Sequence, residues 1–183
     1  RSGDNDRFGY VNYTHVVIGE NGTVGPRLYG SVYGGAQDGH VRWNTDVAVN
    51  SGKIGVIFGD DVISDDPAIN NNADTVFWIA RGNVLGGGSG LGTYTDNEQQ
   101  VYNPAAGLVN CNALVNINGG LVCRDIFGGG NMSSVGRGTQ MTSEENEGHA
   151  HVFVNGGTVR GSVFGGGNQG IVFKERVVTI QGN

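Results

Sequence analysis

Ala150-His151-Val152-Phe153-Val154-Asn155-Gly156-Gly157-Thr158-Val159, followed by Ser162-Val163-Phe164-Gly165-Gly166-Gly167-Asn168, spells a strand, a glycine turn, a second strand and an aromatic-glycine corner. Relatives of this stretch recur along the chain. They read ALVNINGGLVCRDIFGGGN at 113–131, DVAVNSGKIGVIFG at 46–59, HVVIGENGTVGPRLYGSVYGG at 15–35, TVFWIARGNVLGGG at 75–88 and RVVTIQGN at 176–183. Taking the last apolar residue of each first strand as an anchor gives Ile18, Val49, Ile79, Ile117, Val154 and Ile180. Two positions earlier stand Val16, Val47, Phe77, Val115, Val152 and Val178, the spacing that puts both residues on one face of a strand. Four copies then place glycine three positions after the anchor (Gly52, Gly82, Gly120, Gly157) and an apolar residue five positions after it (Ile54, Val84, Val122, Val159). The first copy carries an insertion around Gly25-Pro26-Arg27-Leu28, and the third lacks a separate second-strand aromatic.

A short strand with one apolar face cannot bury that face alone, so the copies must stack, each pairing in parallel with the next. The expected fold is all-β, a single parallel β-solenoid domain over 1–183 with about six irregular coils. Composition agrees: 35 of the 183 residues are glycine, and Val plus Ile outnumber Leu plus Ala by 34 to 15, so turn formers and β-formers dominate over helix formers. Glycine corners let neighbouring backbones pass closely. The position after each anchor reads Gly19, Asn50, Ala80, Asn118, Asn155 and Gln181. At the roughly 4.8 Å strand spacing, amide side chains there should form a hydrogen-bonded ladder. Counted from the residue before each corner (Tyr33, Phe58, Leu85, Phe127, Phe164), the long excursions leave after the glycines. Excursions 59–75, 86–112 and 129–149 are therefore expected to project from one corner as the contact surface.

The balance of 11 basic and 17 acidic residues, net −6, argues against a nucleic-acid partner. No apolar run is long enough to cross a bilayer as a helix. Cys111 and Cys123 are too few for a disulfide scaffold; a buried thiol and a bond between the two are both open. The last copy, Val177-Val178-Thr179-Ile180-Gln181-Gly182-Asn183, is the first half of a unit. The expectation is that the parent chain continues, or that copies join head-to-tail with Phe8-Gly9-Tyr10-Val11-Asn12-Tyr13 completing a neighbour's coil.

The GGTVxGxVFGGGN pattern at 156–168, echoed at 119–131 and 30–35, resembles the glycine-rich repeats of large secreted or outer-surface bacterial proteins of the adhesin-like class. The resemblance covers most of the chain outside the excursions. It implies a right-handed parallel β-helix, an extracellular or cell-surface location, a structural or adhesive role without catalysis, and host or matrix glycans or proteins as partners.

Asp60, Asp61, Asp65 and Asp66 lie with Asn70-Asn71-Asn72 in one excursion, and clustered carboxylates with amide oxygens suit a hard cation such as Ca²⁺. A solvated acidic loop is the simpler expectation, and no other cofactor is implied. His149 and His151 flank Ala150, so a strand puts both imidazoles on one face, a candidate metal pair lacking an assured third ligand, with ordinary surface histidines the simpler expectation. Aromatic side chains able to stack on a ligand are Trp78 and Phe153 at outward strand positions, and Tyr94 and Tyr102 in the longest excursion. Polysaccharide cleavage is the alternative to binding, with the Asp60 to Asp66 group and Arg42 or Arg81 as its candidates. Neither an arrangement in strands nor a recurring basic residue supports it.

Overall fold

The computed structural model describes residues 10–57, 81–90, 94–96, 99–101, 106–136 and 147–181. Among them the chain is all-β and contains no helix. β1 (Tyr10–Val11) leads into β2 (Thr14–Ile18), β3 (Arg27–Leu28) and β4 (Val32–Tyr33). The same order returns with β5 (His40–Val41), β6 (Thr45–Val49), β7 (Lys53–Ile54) and β8 (Val84–Leu85). An antiparallel hairpin of β9 (Tyr94–Asp96) and β10 (Gln99–Val101) follows. β11 (Ala113–Ile117), β12 (Leu121–Val122) and β13 (Ile126–Phe127) precede β14 (Ala150–Val154), β15 (Thr158–Val159), β16 (Val163–Phe164) and β17 (Arg176–Ile180).

Three stacked parallel sheets result, in the orders β17-β14-β11-β6-β2, β15-β12-β7-β3 and β16-β13-β8-β4. The register is the one that the repeat demands. Val16, Val47, Val115, Val152 and Val178 are in-register partners along the first sheet, as are Ile18, Val49, Ile117, Val154 and Ile180. Val47, Val49, Val115, Ile117 and Val152 are completely buried. At about 1.5–3 kcal/mol for each buried Val or Ile, this double column is the main source of stability. At the free edge of the first sheet the same inward positions, Val178 and Ile180, are 39% and 65% exposed because no described strand covers them.

The glycines do two different jobs. Gly52, Gly120 and Gly157 have φ of 100°, 82° and 83°, the left-handed backbone of the turn between first and second strands. The corner glycines Gly34, Gly86, Gly128 and Gly165 follow Tyr33, Leu85, Phe127 and Phe164 and need space instead. A Cβ on Gly86 would run into the Gly128 carbonyl oxygen, and one on Gly128 would lie 2.5 Å from that of Gly165.

The amide ladder is formed. Asn118 Nδ2 donates to Asn50 Oδ1 at 2.9 Å, and Asn155 Nδ2 donates to Asn118 Oδ1 at 2.9 Å. A second rung, from Asn168 Nδ2 to Asn131 Oδ1 at 2.9 Å, sits beyond the glycine corner. Asn118→Ala removes both bonds of the middle rung. Because the ladder is exposed, the expected loss is about 1 kcal/mol, near the low end for two bonds, read as a lower urea midpoint at unchanged slope.

Three expectations are corrected. Residues 75–79 were expected to supply a first strand, with Phe77 and Ile79 in the core column. Those residues lie outside the described ones; among the described strands β6 pairs directly with β11, Val47 against Val115, with no strand between them. Val84 does not align with Ile54 and Val122; it pairs with Val32 and Ile126 in the third sheet. Phe58, outside the described residues, likewise has no place between Tyr33 and Leu85, which are direct partners. The spelling Gly-x-Val precedes both a turn and a corner, and only long-range pairing tells them apart.

The excursions, second, do not leave one corner. Residues between Ile57 and Arg81 join the second sheet to the third, those between Gly90 and Ala106 follow the third, and those between Gly136 and Glu147 precede β14. A long loop costs little extra closure entropy provided that its ends return to register, so any corner tolerates one. Third, parts of 86–112 and 129–149 are core: Ala106, Val109 and Val135 are buried, and Val41, Val109, Val135 and Val172 form a fourth column through single parallel bridges. Tyr10–Val11, within the segment that would complete a neighbour's coil if copies join head-to-tail, pairs in parallel with His40–Val41 of its own chain. Cys111 is buried, and its thiol donates to Glu147 Oε1 at 3.3 Å.

Candidate functional site

The outer face of the five-stranded sheet carries the polar side chains. Alternation turns every second residue outward, and parallel pairing lines those residues up in rows. One row reads His15, Asp46, Leu114, His151 and Val177. The residues just ahead of the strands continue the face as a second row: Tyr13, Asn44, Asn112, His149 and Glu175.

Side chains of this second row lock the next one in place. Asn44 Oδ1 accepts the Asn112 N–H at 2.9 Å, and Asn112 Oδ1 accepts the His149 N–H at 2.9 Å. Between the rows runs an open groove of about 620 Å³, whose lining includes Asn44, Asp46, Asn112, His149, His151 and Glu175. Near one end His15 Nδ1 lies 3.0 Å from Asp46 Oδ2, a well-exposed pair that water screens.

At the other end His149, His151 and Glu175 converge, with one potential ligand atom from each within 4.8 Å of the others. His149 Nδ1 is 3.7 Å from Glu175 Oε2, and the two imidazoles meet edge to face with ring centres 6.1 Å apart. His151 Nε2 is buried and has no hydrogen-bond partner among the described residues. Two imidazole nitrogens and a carboxylate oxygen are a donor set for a transition-metal cation.

The histidine pair was legible as alternate residues of a strand. Glu175 was not singled out, yet the repeat held the signal: it precedes Arg176 of β17 as His149 precedes Ala150 of β14, and Ala150 and Arg176 are register partners. Of the expected ligand-facing aromatics, Phe153 is outward and half-buried in the row of Asn116 and Thr179, with its ring 6.3 Å from that of His151. Tyr94 opens β9. Trp78, Tyr102, Asp60, Asp61, Asp65 and Asp66 lie outside the described residues.

An aromatic pair that sequence reasoning passed over stands beside the groove. Tyr13 and Trp43 stack with ring centres 6.5 Å apart and 22° between planes, and Arg42 lies over the Trp43 ring at 5.5 Å. Both rings remain accessible, Tyr13 at 63% and Trp43 at 38%. Comparison with family models, curated proteins and solved structures gives no match for the chain.

Proposed function

We propose that the chain is a right-handed parallel β-solenoid of the adhesin-like, glycine-rich kind carried on bacterial surfaces, and that its role is adhesive or structural without catalysis. The right-handed sense follows from the strong preference of parallel crossover connections for that hand. One observation carries the functional reading. The two inward columns of Val16, Val47, Val115, Val152, Val178 and of Ile18, Val49, Ile117, Val154, Ile180 repeat β-branched aliphatics from strand to strand, whereas the outward row changes from His15 to Asp46, Leu114, His151 and Val177. A fold that holds its core constant and varies its outer face supplies a rigid display surface.

The partner that this face suits is an extracellular glycan or protein, for two physical reasons. Amide, carboxylate and imidazole groups along the groove offer donors and acceptors to hydroxyls. Beside them, the accessible Tyr13 and Trp43 rings offer apolar faces on which a sugar ring can stack.

Binding to immobilised glycans and matrix proteins tests the reading. Tyr13→Ala with Trp43→Ala is expected to weaken the retained partner by at least about tenfold, the scale of a lost aromatic anchor. Incubation with acidic and neutral polysaccharides should yield neither new reducing ends nor unsaturated products. Turnover that disappears when the carboxylates of 59–75 are changed from Asp to Asn would replace this reading with a carbohydrate-active enzyme.

A further inference from the structure

We propose that His149, His151 and Glu175 bind one borderline divalent transition-metal ion, of which Zn²⁺ is the reference case, on the outer face of the five-stranded sheet. The donors decide the class of ion. Two imidazole nitrogens with one carboxylate oxygen match Zn²⁺, Cu²⁺ or Ni²⁺, while Ca²⁺ and Mg²⁺ demand oxygen donors throughout.

The geometry is set by the fold. His149 and His151 are alternate residues and therefore share a face, and Glu175 is brought beside His149 by the parallel register of β14 and β17. Backbone bonds hold that register at the site itself: Ala150 N–H donates to the Glu175 carbonyl at 3.0 Å, and Lys174 N–H donates to that of Gly148 at 2.9 Å. The His149 N–H is held in turn by Asn112 Oδ1 at 2.9 Å. Around a tetrahedral ion with bonds of 2.0–2.1 Å, neighbouring donors stand about 3.4 Å apart. The donors here, all within 4.8 Å of one another, close to that spacing by side-chain rotation, chiefly of Glu175, whose side chain is 63% exposed.

An independent observation points to a ligand. His151 Nε2 is buried with no hydrogen-bond partner among the described residues, an arrangement that costs free energy unless something bonds to the nitrogen. The His149–Glu175 contact leaves that nitrogen unexplained, and at 3.7 Å it is itself longer than a hydrogen bond. A cation between the three side chains would satisfy both. Three protein donors also leave a coordination position open to the groove, where water or a donor atom of a bound partner would complete the shell.

The test uses the whole chain, stripped with a chelator and then titrated calorimetrically with Zn²⁺ and spectroscopically with Co²⁺. Expected are one Zn²⁺ per chain, a visible ligand-field spectrum on Co²⁺ binding, and no displacement of either by millimolar Ca²⁺ or Mg²⁺. Losing even an outer partner of a metal ligand costs about 10–100-fold in affinity, so His149→Ala with His151→Ala should weaken Zn²⁺ by roughly 100-fold or more. Glu175→Gln, a change at an exposed side chain that leaves folding intact, should weaken it at least about tenfold. His15→Ala, at the far end of the same face, should change nothing. Absence of Zn²⁺ binding in the parent chain overturns the proposal, as does binding that survives the double histidine change, which places the ion elsewhere. Binding lost with the histidines but indifferent to Glu175→Gln overturns the three-donor site.

Discussion

Val152→Asp is expected to abolish the cooperative unfolding transition, leaving a chain with the circular dichroism of an unfolded protein, while Phe153→Ser leaves a folded one. Val152 is completely buried between Val115 and Val178 of the adjacent strands. The substitution forfeits about 1.5–3 kcal/mol of apolar burial. It also leaves a carboxylate inside the sheet with no partner charge, which costs several kcal/mol more. Against a total stability of about 5–15 kcal/mol, that sum removes most or all of the margin. The loss propagates, because each strand is the pairing template of the next and a row that cannot form leaves its neighbours uncovered. Phe153 points outward and touches His151 by its edge, so its replacement by serine should cost only about 1 kcal/mol. Urea unfolding of the two variants separates the cases, and equal tolerance at 152 and 153 would shift the register by one residue.

Gly128→Ala is expected to cost about 2–3 kcal/mol from overpacking at the glycine corner. The added Cβ lies 2.5 Å from the Gly165 carbonyl oxygen, 3.2 Å from its carbon and 3.1 Å from the Ala150 Cβ. Two of these neighbours are backbone and cannot rotate away. Relief requires β13 and β16 to separate, which stretches the Gly128 N–H bond to the Phe164 carbonyl, now 2.9 Å, and the Gly129 N–H bond to that of Gly166, now 3.1 Å. Gly30→Ala is the internal control. Nothing lies within 4 Å of a Cβ there and its φ is not in the left-handed region, so the change should be neutral or stabilising by about 0.4–1 kcal/mol through the unfolded chain. A Gly128→Ala midpoint equal to that of Gly30→Ala would mean that the corner backbones do not pass as closely as described.

The inward columns, the glycine turns and the amide ladder are legible in the residues alone. Each is a local pattern at a fixed offset from an anchor, and parallel stacking of equal units leaves such offsets intact: Val16, Val47, Val115, Val152 and Val178 align as their spacing predicts, and so do Asn50, Asn118 and Asn155. Tertiary structure decided what equal offsets could not. The stretch 75–88 spells a first strand and a corner equally well, and only the direct pairing of β6 with β11 and of β8 with β4 and β13 assigns Val84–Leu85 to the third sheet. The fourth column escaped notice because its units are single valines. Val41, Val109 and Val172 each precede a first strand by four residues, but an insertion separates Val135 from Ala150, and one residue has no period. The site shows the same division. His149 and His151 share a face because strand alternation is a local property, whereas Glu175 joins them only because register sets β17 against β14, a contact between residues distant in the chain that pairing alone brings within reach.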